Sequence, residues 1–408
     1  MRSGIPEPTV SSMPAAAPQN RWPDLFPKIV AGIWAIVGLV VIIRGALASH
    51  KHSVIHTYLS AGHDWFNSLP LYQAKGGFVY SPLIAALFSP LSLLPEQLSH
   101  PLWLAAVMAI YAVGIFMLVR SGLFSAVDER VKAWVFLLAL PISIGNFNNG
   151  QVNPIVIALL VLAITSMQAQ RYWIAALAAA LATHMKLYPA ALGMVLMAVY
   201  PREFSWRFVL AVLGLAALTF LLQRPSYVYG QYCLWFTTRA GDHRDEEGIV
   251  RNIFQIFAAL HLPLGQHIQT LLQAGSGAAI AAVAFIGRFR FRWSKTRVLV
   301  TILCRVDAWM LLFGPATESA TYVMLAPVAA CGLVQSVRQP LPVFLKVLTI
   351  GALSLLTMGA AINSFLSHAK TPLFMSVQPA GALLFAVFAL IWTAGDKFWS
   401  TPAPVSQS

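Results

Sequence analysis

The chain has 408 residues, of which 58% are hydrophobic and only 10% charged, with a formal net charge of +13 and a mean hydropathy of +0.71. A soluble domain carries about 25% charged residues, so a water-soluble enzyme, a disordered protein and a fibrous protein are excluded, and an all-α polytopic membrane protein is expected. The positive charge does not point to nucleic acid, because Lys and Arg sit in short blocks between apolar runs, the pattern of loops facing the cytoplasm.

Residues 1–25 and 397–408 read as disordered tails flanking a single integral membrane domain over 26–396. The first apolar run, about Ile29 to Leu47, is too long for a signal-peptide core and is followed by no convincing small-residue cleavage site, so it reads as an uncleaved first span. Further runs lie at about 80–95, 102–119, 133–146, 152–168, 172–184, 187–200, 207–223, 264–286, 298–313, 321–336, 343–366 and 377–394, which gives about eleven to thirteen transmembrane helices. Several fall short of the roughly 20 residues a bilayer needs, so polar neighbours enter the membrane or some segments are re-entrant. Cys233, Cys304 and Cys331 form an odd set without metal-ligand spacing, which argues against a disulfide framework and a zinc site.

Two basic blocks set the orientation: Arg202 with Arg207, and Arg288, Arg290, Arg292, Lys295 and Arg297. Both are expected on the cytoplasmic side. Alternation then puts 145–153, 184–186, 224–262 and 314–319 on the opposite face, the extracytoplasmic one. Parity fails at the first loop, about 49–78 in the sequence, if the 80–95 run crosses the membrane. A re-entrant run there, or an external 120–132 loop, restores it.

The chemistry-bearing residues follow in chain order. Tyr58, Ala61, Trp65 and Leu69 fall at helical spacing, as in an amphipathic helix lying in the membrane interface, and this helix would carry His56, His63 and Asp64. The 145–153 loop is unusually polar, and the amides of Gln151 and Asn153 supply donors and acceptors suited to sugar hydroxyls, although such a loop also serves as a helix-capping turn. Lys186 lies between two apolar stretches, where a lysine is expensive and suits an anionic phosphate, or snorkels from a helix end. Residues 237–247 form a dense mixed-charge stretch in which Arg239 or Arg244 suits a phosphate, unless the stretch is only a solvated loop. A base that activates a hydroxyl belongs among Asp64, Asp242, Asp245, Glu246, Glu247, Asp307 and Glu318, since the other carboxylates fall in tails, turns or cytoplasmic loops. Asp307 and Arg305, two residues apart in an apolar run, face different ways on a helix and need separate partners.

Tyr58-x-x-Ala61-Gly62-x-x-Trp65 with Leu71-Tyr72, then Tyr80-Ser81-Pro82-Leu83, Gly150-Gln151-Val152-Asn153, Lys186-Leu187-Tyr188-Pro189 and Gly314-Pro315 form an ordered set that resembles glycosyltransferase family 87 over about residues 50–330. The resemblance implies a GT-C-type fold and a hexosyltransferase that moves a sugar, mannose in the best-known members, from a polyprenyl-phosphate donor to a lipid-linked or other cell-envelope glycan acceptor. It implies a bacterial inner membrane location with the active site on the extracytoplasmic side. It also places the family's catalytic aspartate at Val54, so the base is expected to be relocated to Asp64 or Glu318, ahead of His56 or His63. His63, Tyr80, Gln151, Asn153, His184, Lys186, Arg239 and Arg244 are the candidate substrate-binding residues. No cofactor is required. The first loop lacks an Asp-x-Asp pair, so a divalent metal is not called for. A transporter or flippase of lipid-linked sugars would use the same cations without a base, and the Val54 departure is what an inactive member would show.

Overall fold

Apolar length and polar interruption shape the bundle. The computed structural model describes residues 22–47, 53–72, 77–124, 129–240, 250–314, 317–366 and 371–399. Most of both expected tails, Arg244 and Pro315 lie outside the described residues.

The chain enters through α1 (Trp22–Leu47), then lays α2 (Ile55–Phe66) and α3 (Pro82–Ser92) side by side. α4 (Glu96–Arg120) runs to the far end and α5 (Glu129–Asn149) returns. α6 (Asn153–Gln168), α7 (Tyr172–Met185) and α8 (Ala190–Val199) continue the alternation, and a π turn at Pro201–Ser205 leads into α9 (Trp206–Leu222). α10 (Pro225–Ala240) and α11 (Ile253–Ala259) stay at the end where α9 finishes. α12 (Gln266–Phe289), α13 (Lys295–Phe313), α14 (Ala326–Arg338), α15 (Val343–Phe365) and α16 (Pro372–Ala394) alternate again. Regular structure is helical throughout the described residues.

Seven of these stretches are long and apolar enough to cross a membrane: most of α1, then α4, α5, the π turn with α9, α12, α15 and α16. On α1, α9 and α12 large apolar side chains such as Ile36, Leu213, Leu221 and Leu271 point outward, the reverse of a soluble helix and the face that acyl chains cover. The shorter α6, α7 and α8 and the charge-bearing α13 run between the same two ends. α6 and α13 are buried along most of their length, shielded by their neighbours from the need for a full apolar span.

Contacts between sequence-distant residues identify the two ends. At one, the Val54 N–H donates to Asn149 O (3.1 Å), the Ser81 N–H to His184 O (3.3 Å) and the Arg251 N–H to Thr317 O (2.6 Å), while Gln223 Nε2 donates to Trp65 O (3.0 Å). At the other, Gln168 Nε2 donates to Thr296 Oγ1 (2.8 Å), Arg288 pairs with Glu203 (3.1 Å) and Arg297 with Asp396 (2.6 Å). The described parts of the polar clusters thus share one end and both basic blocks share the other.

The parity difficulty disappears at α3. This helix starts beside His184 and is followed by Glu96, whose carboxylate lies 3.9 Å from His56 Nδ1 on α2, so the 80–95 run leaves and returns at one end and is no span. Its 11 residues, about 16 Å at the rise of an α-helix, pack along α2 so closely that a Cβ on Gly62 would come within 2.7 Å of the Phe88 backbone. α2 buries Tyr58, Ala61 and Trp65 as their spacing predicts, but it stops at Phe66 and Leu69 is exposed. Ser68 adopts a φ of 58°, which turns the chain so that Leu69 O accepts from Tyr227 Oη (2.6 Å) and Leu71 N–H donates to Gln231 Oε1 (3.0 Å) on α10.

Candidate active site

Tyrosine hydroxyls form the centre of the polar end. The Tyr58 and Tyr80 hydroxyls lie 3.0 Å apart, and Tyr72 Oη donates to Tyr80 O (2.7 Å), which fixes the approach to α3. Burial, then the neighbouring Tyr80, pushes the Tyr58 hydroxyl well above the ordinary phenol range. Tyr58 is therefore a neutral hydrogen-bonding group rather than a base. Tyr188, in the turn between α7 and α8, donates to Met324 Sδ (3.3 Å) and is likewise raised by burial. Both Tyr58 and Tyr188 lie within electrostatic reach of Glu318, and Tyr188 lies within reach of the buried Asp307 as well.

Glu318 opens the 3₁₀ turn Ser319–Met324 and forms a reciprocal cap with Thr321. Its side chain accepts from the Thr321 backbone, and its own N–H donates to Thr321 Oγ1 (3.2 Å). Such a cap holds the carboxylate in place. Beside it stands Arg251, a residue that sequence reasoning missed. Its N–H donates to Thr317 O, its carbonyl accepts from Tyr322 Oη (2.7 Å), and Nη2 donates to Asn363 Oδ1 on α15 (2.9 Å). The side chain is 9% exposed, Nη1 has no hydrogen-bond partner among the described residues, and burial lowers its pKa. A buried cation with an unused donor suits an anion. The sequence signal was faint: one Arg at the edge of an apolar segment.

The expected 145–153 loop is the last turn of α5, a three-residue turn at 150–152 and the start of α6, and it meets the start of α2, where the Val54 N–H and Ser53 Oγ donate to Asn149 O. Gly150 takes a φ of +63°, where a Cβ would also meet the Trp103 indole at 3.3 Å, while its carbonyl accepts from Trp103 Nε1 (2.8 Å). Asn153 is buried, donates weakly to Asn146 Oδ1 (3.4 Å) and leaves its own Oδ1 without a partner among the described residues. Gln151 is half-buried next to it. Val54 stands at the N-terminus of α2 with its N–H on Asn149 O.

The remaining candidates separate by role. His184 is committed to the scaffold: Nδ1 lies 3.1 Å from Ser81 Oγ and Nε2 3.1 Å from Val212 O, which ties α7 to α3 and α9. Lys186, which ends α7, holds Nζ 5.5 Å from the Tyr188 ring centre. Asp64 is 33% exposed, and its carboxylate lies 3.7 Å from His63 Nδ1, a ring that is 60% exposed; six residues beyond Tyr58, it is off the buried face of α2. Arg239 belongs to the last turn of α10, and its side chain, like all of Arg244, lies outside the described residues. Asp307 is buried with both oxygens lacking hydrogen-bond partners among the described residues, whereas Arg305 binds Thr393 Oγ1 (2.8 Å) and Leu390 O (3.0 Å) on α16. The two take separate directions, as their spacing requires. No group of three or more metal-ligating side chains occurs among the described residues.

Comparison with known proteins places this geometry in context. The family model described as glycosyltransferase family 87 matches residues 78–315. A curated relative, the polyprenol-phosphate-mannose-dependent alpha-(1-2)-phosphatidylinositol pentamannoside mannosyltransferase of Mycobacterium tuberculosis (strain CDC 1551 / Oshkosh), is 26% identical over 303 residues, covering 71% of this chain and 64% of the relative. The chain therefore spans just under two thirds of that relative's length. Among solved structures, the crystal structure of ArnT from Cupriavidus metallidurans bound to undecaprenyl phosphate is similar with a TM-score of 0.37 and 15% identity, covering 93% of this chain and 79% of that one. With the family model matching more than half of its residues, the chain belongs to glycosyltransferase family 87.

Proposed function

We propose that the protein is a membrane hexosyltransferase that moves mannose from a polyprenyl-phosphate donor to a lipid-linked or cell-envelope glycan acceptor. The observation that carries this reading is the meeting of Tyr58, Tyr80, Tyr188, Glu318, Lys186 and Arg251 at one end of the bundle, from stretches of chain far apart in sequence. Family membership and the donor named for the relative point the same way. That end lies opposite both basic blocks, which supports an extracytoplasmic active site in a bacterial inner membrane.

In this reading Glu318 takes the proton of the acceptor hydroxyl. The hydroxyl oxygen bonds to the anomeric carbon as the bond from that carbon to the phosphate oxygen breaks, and the electron pair leaves with polyprenyl phosphate. Arg251 and Lys186 stabilise the departing phosphate, with Arg239 and Arg244 as further candidates from the neighbouring segment. Gln151, Asn153, Tyr80 and the neutral Tyr58 hydroxyl shape the sugar side. Asp64 and its neighbour His63 stand off the buried face and are the weaker alternatives for the base. An apolar recess of about 140 Å³ between α8, α12 and α13, with Met194, Ile280 and Trp309 in its wall, suits part of an isoprenoid chain. The reaction is proposed to need no metal.

The test is transfer of labelled mannose by the purified protein from polyprenyl-phosphate mannose to a lipid extract of its host. A labelled lipid product is expected. Absence of product with mannose and with other polyprenyl-linked sugars would remove the reading.

A further inference from the structure

The end opposite the candidate active site carries a second cluster of charge that the transfer reaction does not use. Arg207 at the start of α9, Arg288 at the end of α12 and Lys295 at the start of α13 gather around one carboxylate, Glu203 in the π turn. Arg288 Nη2 donates to Glu203 Oε1 (3.1 Å), while Arg207 Nη1 reaches only the Glu203 backbone carbonyl (2.6 Å). Aromatic faces supply the other contacts. Arg207 Cζ lies 4.3 Å from the Trp206 ring centre, Arg288 Cζ 3.8 Å from that of Tyr200, and Lys295 Nζ 5.5 Å from that of Tyr172.

Two other arginines on the same side are held by several protein acceptors. Arg297 donates to Asp396 Oδ1 and to the carbonyls of Thr393 and Ala394, and Arg305 donates to Thr393 Oγ1 and Leu390 O. In the cluster, by contrast, Arg207 Nε and Arg288 Nη1 have no hydrogen-bond partner among the described residues. The cations around Glu203 outnumber it, and aromatic rings attract a cation without cancelling its charge.

Its position says what completes it. Trp173 and Trp206, packed edge to face at 5.1 Å, are both about half exposed (45% and 47%), and exposed Trp at the end of an apolar helix marks headgroup depth. A basic pocket between transmembrane helices at that depth binds anionic headgroups. We propose that Arg207, Arg288 and Lys295 hold the phosphate of an anionic phospholipid, with Trp173 and Trp206 along its acyl chains.

The experiment reconstitutes the full chain in phosphatidylcholine vesicles containing phosphatidylglycerol and measures by native mass spectrometry the phosphatidylglycerol that stays bound after extraction. Wild type should retain it, and Arg207→Gln with Lys295→Gln should lower retention about tenfold. Arg290→Gln with Arg292→Gln, exposed cations at the same end, should leave retention unchanged. Equal loss in both pairs would overturn the proposal in favour of a diffuse surface charge. No retention by wild type, or full displacement of the lipid by inorganic phosphate, would also overturn it. Should the first pair fail to fold, Lys295→Gln alone should still lower retention, and unchanged retention there would count against the site.

Discussion

The Tyr58 hydroxyl lies 3.0 Å from the Tyr80 hydroxyl, and this contact joins the buried face of α2 to the residue that leads into α3. Tyr58→Phe and Tyr80→Phe should each lower stability by about 1 kcal/mol, the net worth of a hydrogen bond. The double variant should lose about 1 kcal/mol less than the sum. Unfolding in detergent measures this cycle, and strict additivity would show that the two hydroxyls do not interact.

The close approach of α2 and α3 makes its own prediction. Gly62→Ala puts a methyl 2.7 Å from the Phe88 backbone, whereas Gly32 on α1 has nothing within 4 Å of its Cβ position. Gly62→Ala should therefore cost about 1–3 kcal/mol of stability, while Gly32→Ala should be neutral or stabilising by up to about 1 kcal/mol. Equal melting temperatures for the two variants would contradict the packing.

His184 separates structural from substrate-binding histidine. Both its ring nitrogens meet protein partners, so His184→Ala should cost about 1–3 kcal/mol by leaving buried polar groups unpaired. In the fraction that folds, the KM for the donor should stay near the wild-type value. A large rise in KM with unchanged stability would return His184 to the substrate.

Much of this arrangement is legible in the sequence. Hydrophobic runs gave the helices in order, the basic blocks shared one end, and the polar stretches at 145–153, 184–186 and 314–319 shared the other. What periodicity could not reveal was the return of α3, because an apolar run reads the same whether it crosses the bilayer or lies on a partner helix. Leu69 followed the helical spacing, yet the reversal at Ser68 ended the helix first. As isolated carboxylates in the sequence, Asp64 reads as the first candidate and Glu318 as the second. The fold caps Glu318 against Thr321 beside the buried Arg251 and leaves Asp64 beside His63. Arg251 is only a faint signal in sequence because its significance comes from its neighbours Thr317, Tyr322 and Asn363, all distant along the chain.

The chelator response follows from the proposed reaction. In that proposal transfer depends on a carboxylate base and protein cations, so EDTA added to the purified protein should leave the rate within about twofold of the control, far from the several kcal/mol that a catalytic metal supplies. A collapse of activity that Mg²⁺ or Mn²⁺ restores would contradict the proposed chemistry.

The most direct test of the account is mannose transfer by Glu318→Gln beside Asp64→Asn, each checked for folding by its melting temperature. Glu318→Gln should lose about a hundredfold or more in rate, the usual contribution of a general base, while Asp64→Asn should stay within about tenfold of wild type. The reverse pattern would put the base on α2 and contradict the assignment to Glu318.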